Sequence, residues 1–155
     1  MMIHNLIEDV SFKRLNEHAK IPTYGSLDAG CCDLYAAIDR PIAIAPHTTE
    51  KIGTGLAFEL PRGTFAAIFA RSGIATKRGL RPANCVGICD CDYRGEYIVA
   101  LHNDTDFVQY VQPQERIAQM TLVPYVYMNF YEIEELSDTE RGDGTEEART
   151  KVDGF

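Results

Sequence analysis

Three consecutive pieces decide the fold class: IGTGLAFEL (Ile52 to Leu60), PRG (Pro61 to Gly63) and TFAAIFA (Thr64 to Ala70). Two runs of strand-forming residues stand on either side of a Pro-Arg-Gly break, and each is too short for an ordinary helix. The break reads as a hairpin loop. Similar runs recur at Glu96 to His102, Phe107 to Val111, Arg116 to Val123 and Val126 to Ile133, between marks such as Pro22, Gly30, Pro41, Pro46, Gly79, Pro82, Gly87, Pro113 and Pro124. Asp92-Tyr93-Arg94-Gly95 reads as a turn, with Gly where positive φ is cheapest. The expected fold is all-β: a single compact barrel or jelly-roll-like domain with one short helix.

That helix is SGIATKRG, Ser72 to Gly79, with Ser72 as the expected N-cap, Lys77 and Arg78 in the last turn and Gly79 at the C-terminal end. Its first amides and the guanidinium of Arg71 favour a phosphate; the alternative is a capped connector. The formal net charge is -8, and from Glu132 onward the chain carries nine acids against three cations, so the body is close to neutral. The stretch from Arg71 through Cys89 holds Arg71, Lys77, Arg78 and Arg81 with no acid, and Asp90, Asp92 and Glu96 come directly after it. This polarity hints at a small anionic ligand. The acidic balance argues against a general nucleic-acid binder.

The 155 residues match one domain, expected over residues 1–136, with 137–155 a mobile acidic tail poor in apolar anchors. No apolar run approaches the ~20 residues of a membrane span. The N-terminal His4, Asn5, Glu8 and Asp9 do not suit a secretory signal, so the expected location is cytoplasmic. Cysteines at 31, 32, 85, 89 and 91 are odd in number and lack zinc-ligand spacing, and they read as small buried thiols.

Four segments in order resemble the motifs of the trimeric deoxyuridine triphosphatases, or dUTPases: AGCCDLYA (Ala29 to Ala36), ARSGIATKRG (Ala70 to Gly79), ANCVGICDCDYRGE (Ala83 to Glu96) and QERIAQM (Gln114 to Met120). The resemblance implies hydrolysis of dUTP to dUMP and pyrophosphate, with Asp90 orienting a water for attack on the α-phosphorus. It implies that Arg71, Ser72, Gly73 and Gln119 hold phosphates, and that Asn84, Gly87, Ile88 and Cys89 read the uracil edge. Tyr93 would lie against the deoxyribose and leave no room for a 2'-hydroxyl, with Ile98 nearby. It further implies Mg2+ carried by the triphosphate, with Asp33 as a contact through water, and a homotrimer whose sites are assembled from several subunits. Each residue has a plainer alternative. Asp90 would stabilise a turn, Tyr93 and Ile98 would be core, Gln119 an exposed strand residue, and Asp33 a structural hydrogen-bonder.

A fifth motif begins at Asp138-Thr139-Glu140-Arg141-Gly142-Asp143-Gly144 and then departs, since Thr145-Glu146-Glu147-Ala148 replaces the expected Gly-Phe-Gly-Ser. Arg141 would still reach the γ-phosphate, whereas the closing lid lacks its aromatic; Phe155 has no register for that role. Gln114 stands where the fourth motif usually has Gly. Two other classes fit the same scaffold: a nucleotide-binding regulatory protein with weak catalysis, and a relative of the dCTP deaminases.

Overall fold

The computed structural model describes residues 8–139 and 141–143. In chain order the elements are β1 (Ser11–Arg14), β2 (Thr23–Tyr24), β3 (Cys32–Tyr35), β4 (Ile42–Ile44), β5 (Thr49–Gly53), β6 (Leu56–Glu59) and β7 (Thr64–Phe69). Then come α1 (Ser72–Arg78), β8 (Leu80–Pro82), β9 (Val86–Asp90), β10 (Ile98–Asn103), β11 (Gln109–Val111) and β12 (Arg116–Pro124). The fold is all-β and jelly-roll-like, with one short helix. Its largest sheet has the order β2-β3-β12-β7-β9, and smaller sheets β5-β10-β8, β1-β6 and β11-β4 close around it. Every pairing is antiparallel.

Alternation fills the interior. Along β10, Val99, Leu101 and Asn103 are buried while Ile98 faces outward, the period of two that a half-buried strand requires. Leu34, Ile44, Ile52, Leu56, Leu80 and Ile117 complete an apolar centre from which water is excluded. Asn103, wholly buried, donates from Nδ2 to the Ile44 carbonyl at 3.0 Å and the Phe107 carbonyl at 2.7 Å, while its Oδ1 accepts from Thr105 N–H at 3.0 Å. A buried amide with its partners supplied costs little, and it fixes the loop after β10.

Several local expectations need correction. Pro61 to Gly63 is not a hairpin loop, because β6 pairs with β1 while β7 pairs with β12 and β9; the chain crosses between sheets there. The run Ile52 to Leu60 divides at Thr54-Gly55, where the Thr54 hydroxyl is turned to the Tyr97 carbonyl at 2.7 Å. Val126 to Ile133 forms no strand, since β12 ends at Pro124 and no strand among the described residues pairs with that run. Ser72 is the first helical residue and not the cap: Arg71, in extended conformation, holds the cap position with no side-chain cap bond. Gly79 ends the helix in the left-handed region at φ 63°, as the sequence suggests.

No helix among the described residues is long and apolar enough to cross a membrane. The tail assigned to residues 137–155 lies mostly outside the described residues, including Thr145 to Ala148 and Phe155.

Candidate active site

The turn between β9 and β10 builds a recess of about 280 Å3 lined by Ile88, Cys89, Asp90, Tyr93, Glu96 and Ile98. Five of these six are residues singled out from the sequence, and they converge because β9 alternates. Ile88 and Asp90 are exposed on one face of the strand, while Cys89 leans toward the core. Tyr93 N–H donates to the Asp90 carbonyl at 3.1 Å, which tightens the turn and brings the ring back over the strand. Its hydroxyl then donates to the Glu96 carbonyl at 3.2 Å. A Cβ at Gly95 would strike that hydroxyl, so only glycine leaves the ring in place.

Glu96, to which the sequence assigns no role of its own, and Tyr97 adjoin the recess residues. The Glu96 carboxylate accepts from Gly55 N–H at 2.7 Å, which pins the turn to the β5–β6 break. Tyr97 is fully buried beneath the recess, its ring 4.6 Å from Phe58 and 6.1 Å from Tyr93. The Tyr97 hydroxyl is buried without a well-formed hydrogen bond, and the Cys89 thiol is a polar neighbour. Burial pushes both groups up from their ordinary pKa values. Cys89 is therefore held as the thiol, which is the unreactive form. Asp90 is the exposed carboxylate among the residues that line the recess.

A second cluster forms where β3, β12 and β7 run side by side. Gln119 on β12 lies opposite Asp33 on β3 and Phe69 on β7. Arg71 comes just after β7, and its Nε donates to Asp33 Oδ1 at 2.6 Å. Arg116 donates from Nη1 to Asp33 Oδ2 at 3.2 Å. Gln119 Nε2 donates to the Ala70 carbonyl at 2.9 Å, and exposed Ser72 and Gly73 stand at the start of α1 beside it. The acid-free run of the sequence is thus not one basic patch. Arg78 is paired with Glu115, and Arg81 with Asp104 at 2.7 Å, whereas Arg71 belongs to this cluster.

The structure does not bring the two groups together within one chain. Asp90 is level with Phe65 on β7, whereas Gln119 and Asp33 are level with Phe69, four residues and about 13 Å along the strand. Asn84 and Gly87 belong to the Phe69 end. Gly87 is opposite Ile68, and a Cβ on it would meet Ile68 Cβ at 3.2 Å and Asn84 Nδ2 at 3.4 Å. Arg141 lies exposed in a turn closed by Gly142 N–H to the Thr139 carbonyl at 3.1 Å, and it is not among the residues lining the recess.

The residues present do not form a metal cage. Both Asp33 oxygens face guanidinium groups, and among the described residues no three His, Cys, Asp or Glu side chains converge.

The dUTPase family model matches residues 17–147. The chain belongs to the dUTPase family. It is 43% identical over 136 residues to the deoxyuridine 5'-triphosphate nucleotidohydrolase of Desulfitobacterium hafniense, covering 87% of this chain and 90% of that one. A mutant dUTPase of phage 80alpha superposes with a TM-score of 0.82 at 21% identity, over 90% of this chain and 98% of that one. A mutant dUTPase of phage phi11 of S. aureus, described with a structural Mg(II) ion, gives a TM-score of 0.73 at 19% identity over 83% of this chain and 98% of that one. At such identities the two phage structures speak to the fold alone. The dUTPase motifs thus sit on a dUTPase fold, and Gln114 shows how this family member tolerates its departures. It takes φ 62°, the left-handed conformation that glycine would adopt freely, and its side-chain amide donates to the His18 carbonyl.

Proposed function

We propose that the protein hydrolyses dUTP to dUMP and pyrophosphate. The observation that carries this is the recess that gathers Ile88, Cys89, Asp90, Tyr93 and Ile98 around one exposed carboxylate. Asp90 holds a water in line with the α-phosphorus and accepts its proton as the P–O bond forms, and pyrophosphate leaves from the opposite side. A carboxylate is a weak base, so most of the acceleration comes from positioning and from cations around the phosphates. Tyr93, its ring fixed by Gly95 and the Glu96 carbonyl, excludes a ribose 2'-hydroxyl. Backbone groups around Gly87, Ile88 and Cys89, together with Asn84, read the uracil edge, where a mismatched donor would leave buried polar groups unpaired. Arg71, Ser72, Gly73 and Gln119 receive the phosphates, with Arg141 reaching in from the tail. The substrate is the magnesium complex of dUTP.

The working unit in this reading is a homotrimer, with each site shared between copies. Two observations support it. Asp90 and the Arg71 cluster are level with opposite ends of β7, about 13 Å apart along it, and the recess lining includes none of the cluster's residues. Beyond β12 the chain also carries an apolar arm, with Val126 88%, Tyr127 86%, Phe130 83% and Tyr131 82% exposed. A stretch of this kind marks a protein contact.

The test is pyrophosphate release from dUTP, dCTP, dTTP and UTP by the native chain and by Asp90→Asn. Release is expected from dUTP alone, and the variant should lose about 10²- to 10⁴-fold in turnover, the range for removing a general base. Binding of dUTP without pyrophosphate release by the native chain would instead support a nucleotide-binding regulator, and ammonia release from dCTP would support a deaminase.

A further inference from the structure

Asp33 has 12% of its side chain exposed, and it is the one acid that meets both Arg71 and Arg116. A carboxylate so withdrawn from water needs strong partners, and one guanidinium would suffice to neutralise it. Two are present, so the cluster keeps a net positive charge. The geometry also fixes orientation. With Nε on Asp33 Oδ1 and Nη1 near the Arg116 carbonyl at 3.4 Å, Arg71 has its plane set from two sides. Arg116 makes a single contact to Asp33 Oδ2, and with 52% of its side chain exposed its remaining N–H groups reach solvent. Ion pairs buried for stability alone gain little over apolar packing. An arrangement that leaves an excess cation half-exposed, in a cluster whose Asp33 lies opposite Gln119 and whose Arg71 adjoins Ser72, is better suited to an anion.

We propose that Asp33 is a positioning residue that joins Arg71 and Arg116 into one cradle for the terminal phosphates, and that Arg116 is itself a phosphate-binding residue. Asp33 acts in this way through the two arginines and not through a metal ion. This rests on the dUTP reading of the site.

The experiment measures binding of the non-hydrolysable α,β-imido analogue of dUTP, and of dUMP, by calorimetry, once with magnesium and once in EDTA. Asp33→Asn and Arg116→Gln should each weaken the analogue roughly tenfold or more, as expected for loss of a charge-assisted hydrogen bond, in both buffers. Both should bind dUMP within about twofold of the native chain, which also reports an intact fold. An Asp33→Asn effect confined to the magnesium buffer would overturn the proposal in favour of a metal role. So would an Arg116→Gln chain that binds the analogue like the native one, or parallel losses for dUMP. The bridge is also read without nucleotide, by hydrogen exchange at Arg71 Nε monitored by NMR. It should be slow in the native chain and fast in Asp33→Asn, and equal rates would sink the bridge. Should the native chain fail to bind the analogue at all, the dUTP reading fails, and the exchange rates still decide the bridge.

Discussion

Two regions of this molecule expose apolar side chains, and they do so in different ways. In the recess, Ile88, Tyr93 and Ile98 are 60%, 46% and 48% exposed, yet they line one concave space together with the Asp90 carboxylate. Beyond Pro124, Val126, Tyr127, Phe130 and Tyr131 are more exposed still and belong to no strand. Concavity with a few polar groups suits a small ligand, whereas an extended apolar ribbon suits another polypeptide. Exposure alone does not distinguish the two; the shape around it does.

The largest effect is expected on the arm. Replacing Val126, Tyr127, Phe130 and Tyr131 together by Ser should convert the proposed assembly to single chains in sedimentation and cut dUTP turnover at least about 100-fold, as the proposed sharing of each site between copies requires. A monodisperse monomer from the native chain, fully active, would remove the contrast altogether. Next comes the recess. Gly95→Ala pushes the Tyr93 ring from its place and should lower kcat/KM for dUTP roughly 10- to 100-fold, the scale of a small misplacement at a reacting centre. The same change should narrow the preference for dUTP over UTP while leaving the sedimentation of the assembly unaltered. A loss of assembly in that variant would blur the two regions into one. The smallest effect is expected at the end of the chain. Deleting residues 145–155, where the aromatic lid residue is missing from the sequence, should change turnover less than about twofold, since no closing ring is lost. A large loss would assign those residues a substitute lid.

Much of the recess was legible in the sequence because its residues are contiguous. A strand that alternates and then turns at Asp92 to Gly95 has few ways to fold, so the placement of Ile88 and Asp90 also places Tyr93. Arg116 and Tyr97 were not legible in that way. Arg116 meets Asp33 only because β12 pairs with β3, and Tyr97 lies under the recess only because the chain entering β10 passes beneath it toward Phe58. Such contacts depend on tertiary register that no local pattern encodes. Ser72 misled for the opposite reason. Ser is a favoured cap, but Arg71 leaves the strand in an extended conformation suited to the cap position, which moves Ser72 into the first turn. The run Val126 to Ile133 has the composition of a strand, and a strand requires a neighbour to pair with. Among the described residues it has none.

Because Asp90 and Arg71 lie at opposite ends of β7, two dead chains should rescue one another. Asp90→Asn and Arg71→Gln, unfolded together and refolded as a mixture, combine at random. A site that takes its carboxylate from one copy and its guanidinium from the next is then intact in about a quarter of cases at equal mixing. Activity should return to that fraction of the native level, and mixing the two proteins after each has assembled alone should return almost none. An organism carrying both alleles would accordingly retain function that neither allele provides by itself.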